Sequence, residues 1–294
     1  MIIGTVFHEF FTQLSAIIPT LIFVMLLLTF SKLKARKVRI SSFQAWLIVF
    51  QVVGSLLLYW VLRPINPILA ESALICVLAP TATSAVVVTG MLGGSVAALT
   101  TYTLVCNVVV AIMAPVLFSL IGQHAVLTFW HSFSLISLKV LPLIILPLVV
   151  AWLMQRFLPS VNKKITSFHG MAFYIWALSL IIVTARTVNF LHEQNHLDKT
   201  LAIEITFLSL VLCALQFFVG KRVGRRYRKT ISGGQALGQK NTILAIWMAQ
   251  SFLNPISSLG PAAYVLWQNA FNSWQLYRRR KAVRKKDTRI HQKA

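Results

Sequence analysis

The stretch GGQALGQKNTILAIWMAQSF, residues 233–252, decides how the chain folds. Its second half is apolar enough to lie in a membrane, yet Lys240 stands between Gln239 and Asn241, with Gly233, Gly234 and Gly238 just before it. A lysine near the centre of a bilayer costs roughly 2.5 to 3.5 kcal/mol even on the lenient insertion scale. It therefore needs a partner, water, or a shifted protonation equilibrium.

Composition settles whether a membrane is involved. The chain has 294 residues, of which 57% are hydrophobic, and its mean hydropathy is +0.75. Only 12% are charged, against about 25% in a soluble domain. Apolar runs of the roughly 20 residues that a crossing requires fall at about 14–31, 43–62, 66–92, 95–121, 138–157, 170–190, 200–220, 231–254 and 258–277. They predict an all-α polytopic membrane protein with nine transmembrane helices.

The net charge of +22 has a placement that fits this topology. All 28 Lys and Arg except Arg63, Lys139, Arg186, Lys199 and Lys240 follow the first, fifth and seventh runs or lie in the tail 278–294. Nine crossings put those clusters on one side, which the positive-inside rule makes cytoplasmic. The N-terminus is then outside and the C-terminus inside, in a plasma membrane of the bacterial inner-membrane kind. On this reading the tail RRRKAVRKK is a topology determinant able to touch anionic headgroups, not a nucleic-acid site. Residues 1–13, MIIGTVFHEFFTQ, lack a signal peptide's basic start and read as a short interfacial lead-in. Cys76, Cys106 and Cys213 lie inside apolar runs without metal-ligand spacing, and are expected to be small buried hydrophobes.

Two runs are irregular. The third contains APTATSAVVVTGMLGG, where Pro80 is followed by Thr81, Thr83, Ser84 and Thr89 and then by Gly90, Gly93 and Gly94. The eighth contains Gln239, Lys240, Asn241 and Thr242 behind its glycines. Proline removes a backbone hydrogen bond and glycine weakens a helix, so both are expected to break near mid-membrane. They run in opposite directions across the bilayer, about 160 residues apart. A pair of broken segments in two halves points to a secondary transporter with inverted repeats and a midplane site. Close helix packing through small residues explains Gly93 and Gly94 equally well, but it does not explain Gln239, Lys240 and Asn241 together.

From about residue 16 to 277 the chain resembles the bile acid:sodium symporter family. The resemblance is carried by AIIPTLIFVMLLLTFSKLK, the APTATSAVVVTGMLGG segment, KVLPLIILPLVVAWLMQRFLPS, LGQKNTILA and the last run SSLGPAAYVLWQNAFNSW, taken in order and spacing. It implies a panel domain, here 14–31 and 138–190, and a core domain, here 43–121 and 200–277, with two broken helices crossing in the core. In that family the second crossing typically reads Glu, any, Gly, any, Gln, Asn. This chain has Ala236, Leu237, Gly238, Gln239, Lys240, Asn241. The carboxylate that would serve sodium is thus replaced by Ala236 and a neutral amide by Lys240.

The expected function is secondary transport of a small or amphipathic organic anion by alternating access. Thr81, Thr83, Ser84, Thr89, Gln239, Lys240, Asn241 and Thr242 are the candidates for the binding site. Lys240 has several readings: a resident cation in place of a coupling sodium ion, a direct partner for the substrate's carboxylate, a group that couples transport to the proton, or a lysine snorkelling toward the headgroups. No cofactor is expected; sodium and the proton both stand as candidate coupling ions, and the partners are the substrate and the lipid bilayer. The alternative from another class is a non-transporting receptor or sensor on the same fold. No paired carboxylates, HExxH or Ser/His set stands at membrane depth, so an enzyme is not expected.

Overall fold

The computed structural model describes residues 2–32, 40–82, 84–121, 128–167, 171–193 and 199–291. Thr83, most of the first basic cluster (Lys34, Arg36, Lys37 and Arg39), His124 and His196 lie outside the described residues. The helices are α1 (Ile2–Val6), α2 (His8–Gln13), α3 (Ile18–Phe30), α4 (Ser42–Leu62), α5 (Pro67–Leu78), α6 (Ser84–Met91) and α7 (Val96–Ile121). They continue as α8 (Phe129–Phe157), α9 (Pro159–Ser167), α10 (Met171–Glu193), α11 (Lys199–Arg226), α12 (Thr230–Gly238), α13 (Thr242–Phe252) and α14 (Leu259–His291). Among the described residues there is no strand.

Among the described residues five helical columns are long and apolar enough to cross a membrane: His8–Phe30, Ser42–Leu62, Val96–Ile121, Phe129–Phe157 and Lys199–Arg226. The chain is accordingly a polytopic helical protein with the build of an integral membrane protein. The third and eighth runs are shorter because each is two helices, α5 with α6 and α12 with α13. Pro80 ends the first of these, and Gln239, with an extended backbone, ends the second. α14 is diluted by Gln268, Asn269 and Asn272, and it carries the basic tail onward as helix to His291.

The helix starts are chosen by side chains. Asn66 accepts from the Ile68 and Leu69 amides at the head of α5, where Pro67 needs no donor partner. Asn241 accepts from the Leu244 amide at the head of α13. At the amino end the structure adds a packing contact that the sequence did not indicate. α1 and α2 lie along α10: a Cβ on Gly4 would overlap Ile181 O, and the His8 ring stacks on His192 at 4.8 Å. Phe7 and Phe10 still face outward. The three cysteines are free and buried, as small hydrophobes would be.

The closest helix pair is α11 against α12, a hairpin that carries the second break. A Cβ on Gly220 would overlap Gly233 O, and one on Gly233 would overlap Gly220 O. A Cβ on Gly224 would stand 2.5 Å from Lys229 O. A Cβ on Gly238 would strike the Phe217 ring. Backbone pressed on backbone in this way is how helices associate when lipid removes the hydrophobic drive. Gly220→Ala and Gly233→Ala should therefore each destabilise the protein by about 1–3 kcal/mol, the usual size of overpacking. Gly54→Ala on α4, where nothing lies within 4 Å, should be neutral or stabilising. Thermal unfolding in detergent compares the three.

Candidate functional site: the crossing of two broken helices

Each break leaves polar backbone where neither lipid nor helix can satisfy it. The two breaks satisfy one another. Thr81 and Lys240 form an isolated antiparallel bridge. Across it the Ala82 amide donates to Gln239 O at 2.9 Å and the Asn241 amide to Pro80 O at 2.7 Å.

The carbonyl ends of α5 and α12 are then capped by side chains from elsewhere. At the end of α5, Gln216 Nε2 donates to Cys76 O at 3.4 Å. Lys240 Nζ donates to Val77 O at 2.7 Å. Gln51 Nε2 donates to Leu78 O at 2.7 Å and Ala79 O at 3.0 Å. At the end of α12, Thr81 Oγ1 donates to Ala236 O at 2.7 Å and the Tyr264 hydroxyl to Gly238 O at 3.0 Å. Gln268 brackets Lys240 itself, accepting from its amide at 2.8 Å and donating to its carbonyl at 3.3 Å. The two bridge residues act reciprocally. Thr81 reaches the carbonyl four residues before Lys240, and Lys240 reaches the carbonyl four residues before Thr81.

Electrostatics gives the ammonium its place. A helix carries about −0.5 of a charge at its carbonyl end. Two such ends, those of α5 and α12, meet at the crossing, and together they match about one positive charge. Lys240 is 1% exposed, with its ammonium on the α5 end, so it is not a lipid-facing or snorkelling lysine. Glu71 is engaged elsewhere, accepting from the Asn254 amide at 2.7 Å.

Thr81, Ser84, Gln239, Lys240 and Asn241 come together at the crossing. Gln239 Nε2 donates to Ser84 Oγ at 2.9 Å, while Gln239 Oε1 is buried without a partner. Thr242 is buried at the first turn of α13. Thr89 is buried further along α6, where its methyl would be 2.8 Å from a Cβ on Gly94. Gln51, Gln216, Tyr264 and Gln268 complete the crossing and were not among the sequence candidates. Their signal was present: a lone glutamine inside an apolar run, as in LIVFQVVG, CALQFF and VLWQNAF, is a polar group that needs a buried partner.

The two helices that leave the crossing differ. α13 is buried along its length from Thr242 to Gln250, and Gln250 Nε2 ties it to Thr187 Oγ1 of α10 at 2.8 Å. Phe252 stacks on Phe118 with centroids 6.1 Å apart. α6 is open on the face formed by Ser84, Val87 and Met91, with Val87 61% and Met91 52% exposed.

With this geometry in view, comparison with known proteins gives one family. No curated protein matches the chain. The sequence model of the SBF-like CPA transporter family matches residues 29–268, well over half of the 294. The chain thus belongs to the SBF-like CPA transporter family, relatives of the bile acid:sodium symporters, and is a secondary transporter.

Proposed function

We propose that the protein carries an organic anion by alternating access, with Lys240 as a resident cation where a sodium-coupled relative would place its ion. The observation that carries this reading is the Lys240 ammonium, buried on Val77 O at the carbonyl end of α5. A hard cation requires several oxygen ligands, preferably an anionic one. Here the position of the family's carboxylate is Ala236, and the carbonyls at the breaks already accept from Gln51, Gln216, Tyr264, Thr81 and Lys240. These residues do not suit sodium at the crossing. The amino ends of α6 and α13, each worth about +0.5 of a charge, offset the two carbonyl ends, so the charge of Lys240 is left to favour an anion beside it, with Ser84, Gln239 and Asn241 as polar contacts.

The same reading includes nine crossings and an inverted repeat centred on the Thr81–Lys240 bridge. The reciprocal reach of those two side chains supports the repeat. In this arrangement segments 43–121 and 200–277 form a core that moves against a panel of 14–31 and 138–190. The positive-inside rule places the N-terminus outside and the tail 278–294 in the cytoplasm of a bacterial inner membrane. The open face of α6 then looks to the cytoplasm, and Gln250 with Thr187 closes the outer side.

Uptake into proteoliposomes tests the function. Labelled organic anions should enter with saturable kinetics, and one or more should compete with the rest. Specific binding without flux would make the protein a receptor or sensor. Accessibility tests the inward-open state. Val87→Cys should react with a membrane-impermeant thiol reagent applied from the cytoplasmic side, whereas Ile246→Cys should not until substrate turns the carrier over. Equal labelling of both, or of neither, would contradict it.

A further inference from the structure

A second site stands apart from the crossing, on the outer surface of the helices. A cleft of about 520 Å³ lies between the first turns of α4 and the last turn of α11, walled by Trp46, Phe50, Tyr227, Arg222, Arg225 and Arg226. The size suits a headgroup with the start of its chains. On α11 the three arginines are spaced i, i+3, i+4 and so share one face. Leu215 and Phe218, exposed, precede Arg222 by seven and four residues on that same face. On α4 the exposed Trp46, Phe50, Val53 and Leu57 form the matching stripe, at i, i+4, i+7 and i+11. The cleft therefore has a basic end, and exposed apolar stripes of α4 and α11 run on from it.

Charge complementarity selects the occupant. The chain's six acidic residues offer these arginines little. Glu204 lies at the opposite end of α11, about 27 Å of helix from Arg222. Glu193 and Asp198 precede that helix, Glu9 is on α2, and Glu71 is bonded to the Asn254 amide. Asp287 sits in the tail among Lys285, Lys286 and Arg289. Guanidinium forks with no carboxylate in reach among the described residues match phosphate geometry, and the exposed apolar stripes beyond them match an acyl chain. We propose that this cleft binds an anionic glycerophospholipid, its phosphate on Arg222, Arg225 and Arg226 and one acyl chain along the α4 and α11 stripes.

Native mass spectrometry of the full chain, titrated with phosphatidylglycerol in detergent, tests it. A one-to-one adduct should form that phosphatidylcholine forms at least about tenfold more weakly. Arg222→Gln/Arg225→Gln/Arg226→Gln should weaken it by at least about tenfold, whereas the tail control Lys281→Gln/Arg284→Gln/Lys285→Gln should retain it. Trp46→Ala with Phe50→Ala, which leaves the charge intact, should weaken it too. Inorganic phosphate should not displace the lipid. The proposal is overturned if the arginine variant or the aromatic variant binds like the wild type, if the tail control loses the adduct equally, if phosphatidylcholine binds as well, or if phosphate alone competes.

Discussion

Everything at the centre of this protein follows from helices that stop inside a buried, apolar helical bundle. A broken helix exposes carbonyls that lipid cannot answer, and each one left bare costs several kcal/mol. The chain meets that demand with side chains drawn from distant parts of the sequence: Gln51 and Gln216 from neighbouring helices, Tyr264 and Gln268 from α14, and Thr81 and Lys240 from the breaks themselves. Gln51 is held in turn by the Tyr102 hydroxyl and by Cys106 Sγ at 3.2 Å. The crossing is therefore specified from several directions at once. Such a network is costly if half satisfied and rigid if complete.

Charge adds a second demand that hydrogen bonds alone do not meet. Close to the carbonyl end of α5 the local field favours a cation, and there the Lys240 Nζ lies. A mobile ion would answer it reversibly, and would bring an ion gradient to bear on transport. A lysine answers it permanently. On the proposed reading Ala236, without a carboxylate, and Lys240, a tethered cation four residues later, act together, since both disfavour a metal ion. The glycine contacts of α11 on α12 hold the second break against this scaffold, which is why Gly220 and Gly233 matter though neither touches the crossing.

The sequence made the breaks legible because proline, clustered glycine and polar residues inside apolar runs each carry a local physical meaning. Lys240 was legible for the same reason. What it touches was not, because Val77 lies 163 residues away and only the fold sets that distance. The glutamines were missed for a related reason: each looks like a single polar interruption until its partner carbonyl is known. The packing of the amino-terminal segment on α10 was not legible. Gly4, the residue that lets α1 lie on α10, gives no periodic signal. Glu71 lies apart from Lys240, its carboxylate accepting from the Asn254 amide.

The central claim is that a tethered ammonium stands in for a coupling ion. Substrate uptake into proteoliposomes, measured in sodium-free medium and across an imposed inward sodium gradient, with wild type and Lys240→Gln side by side, addresses it directly. The account predicts wild-type flux that is indifferent to sodium and a Lys240→Gln variant whose sodium-free flux collapses. Strong sodium stimulation of the wild type that survives in the variant would contradict it.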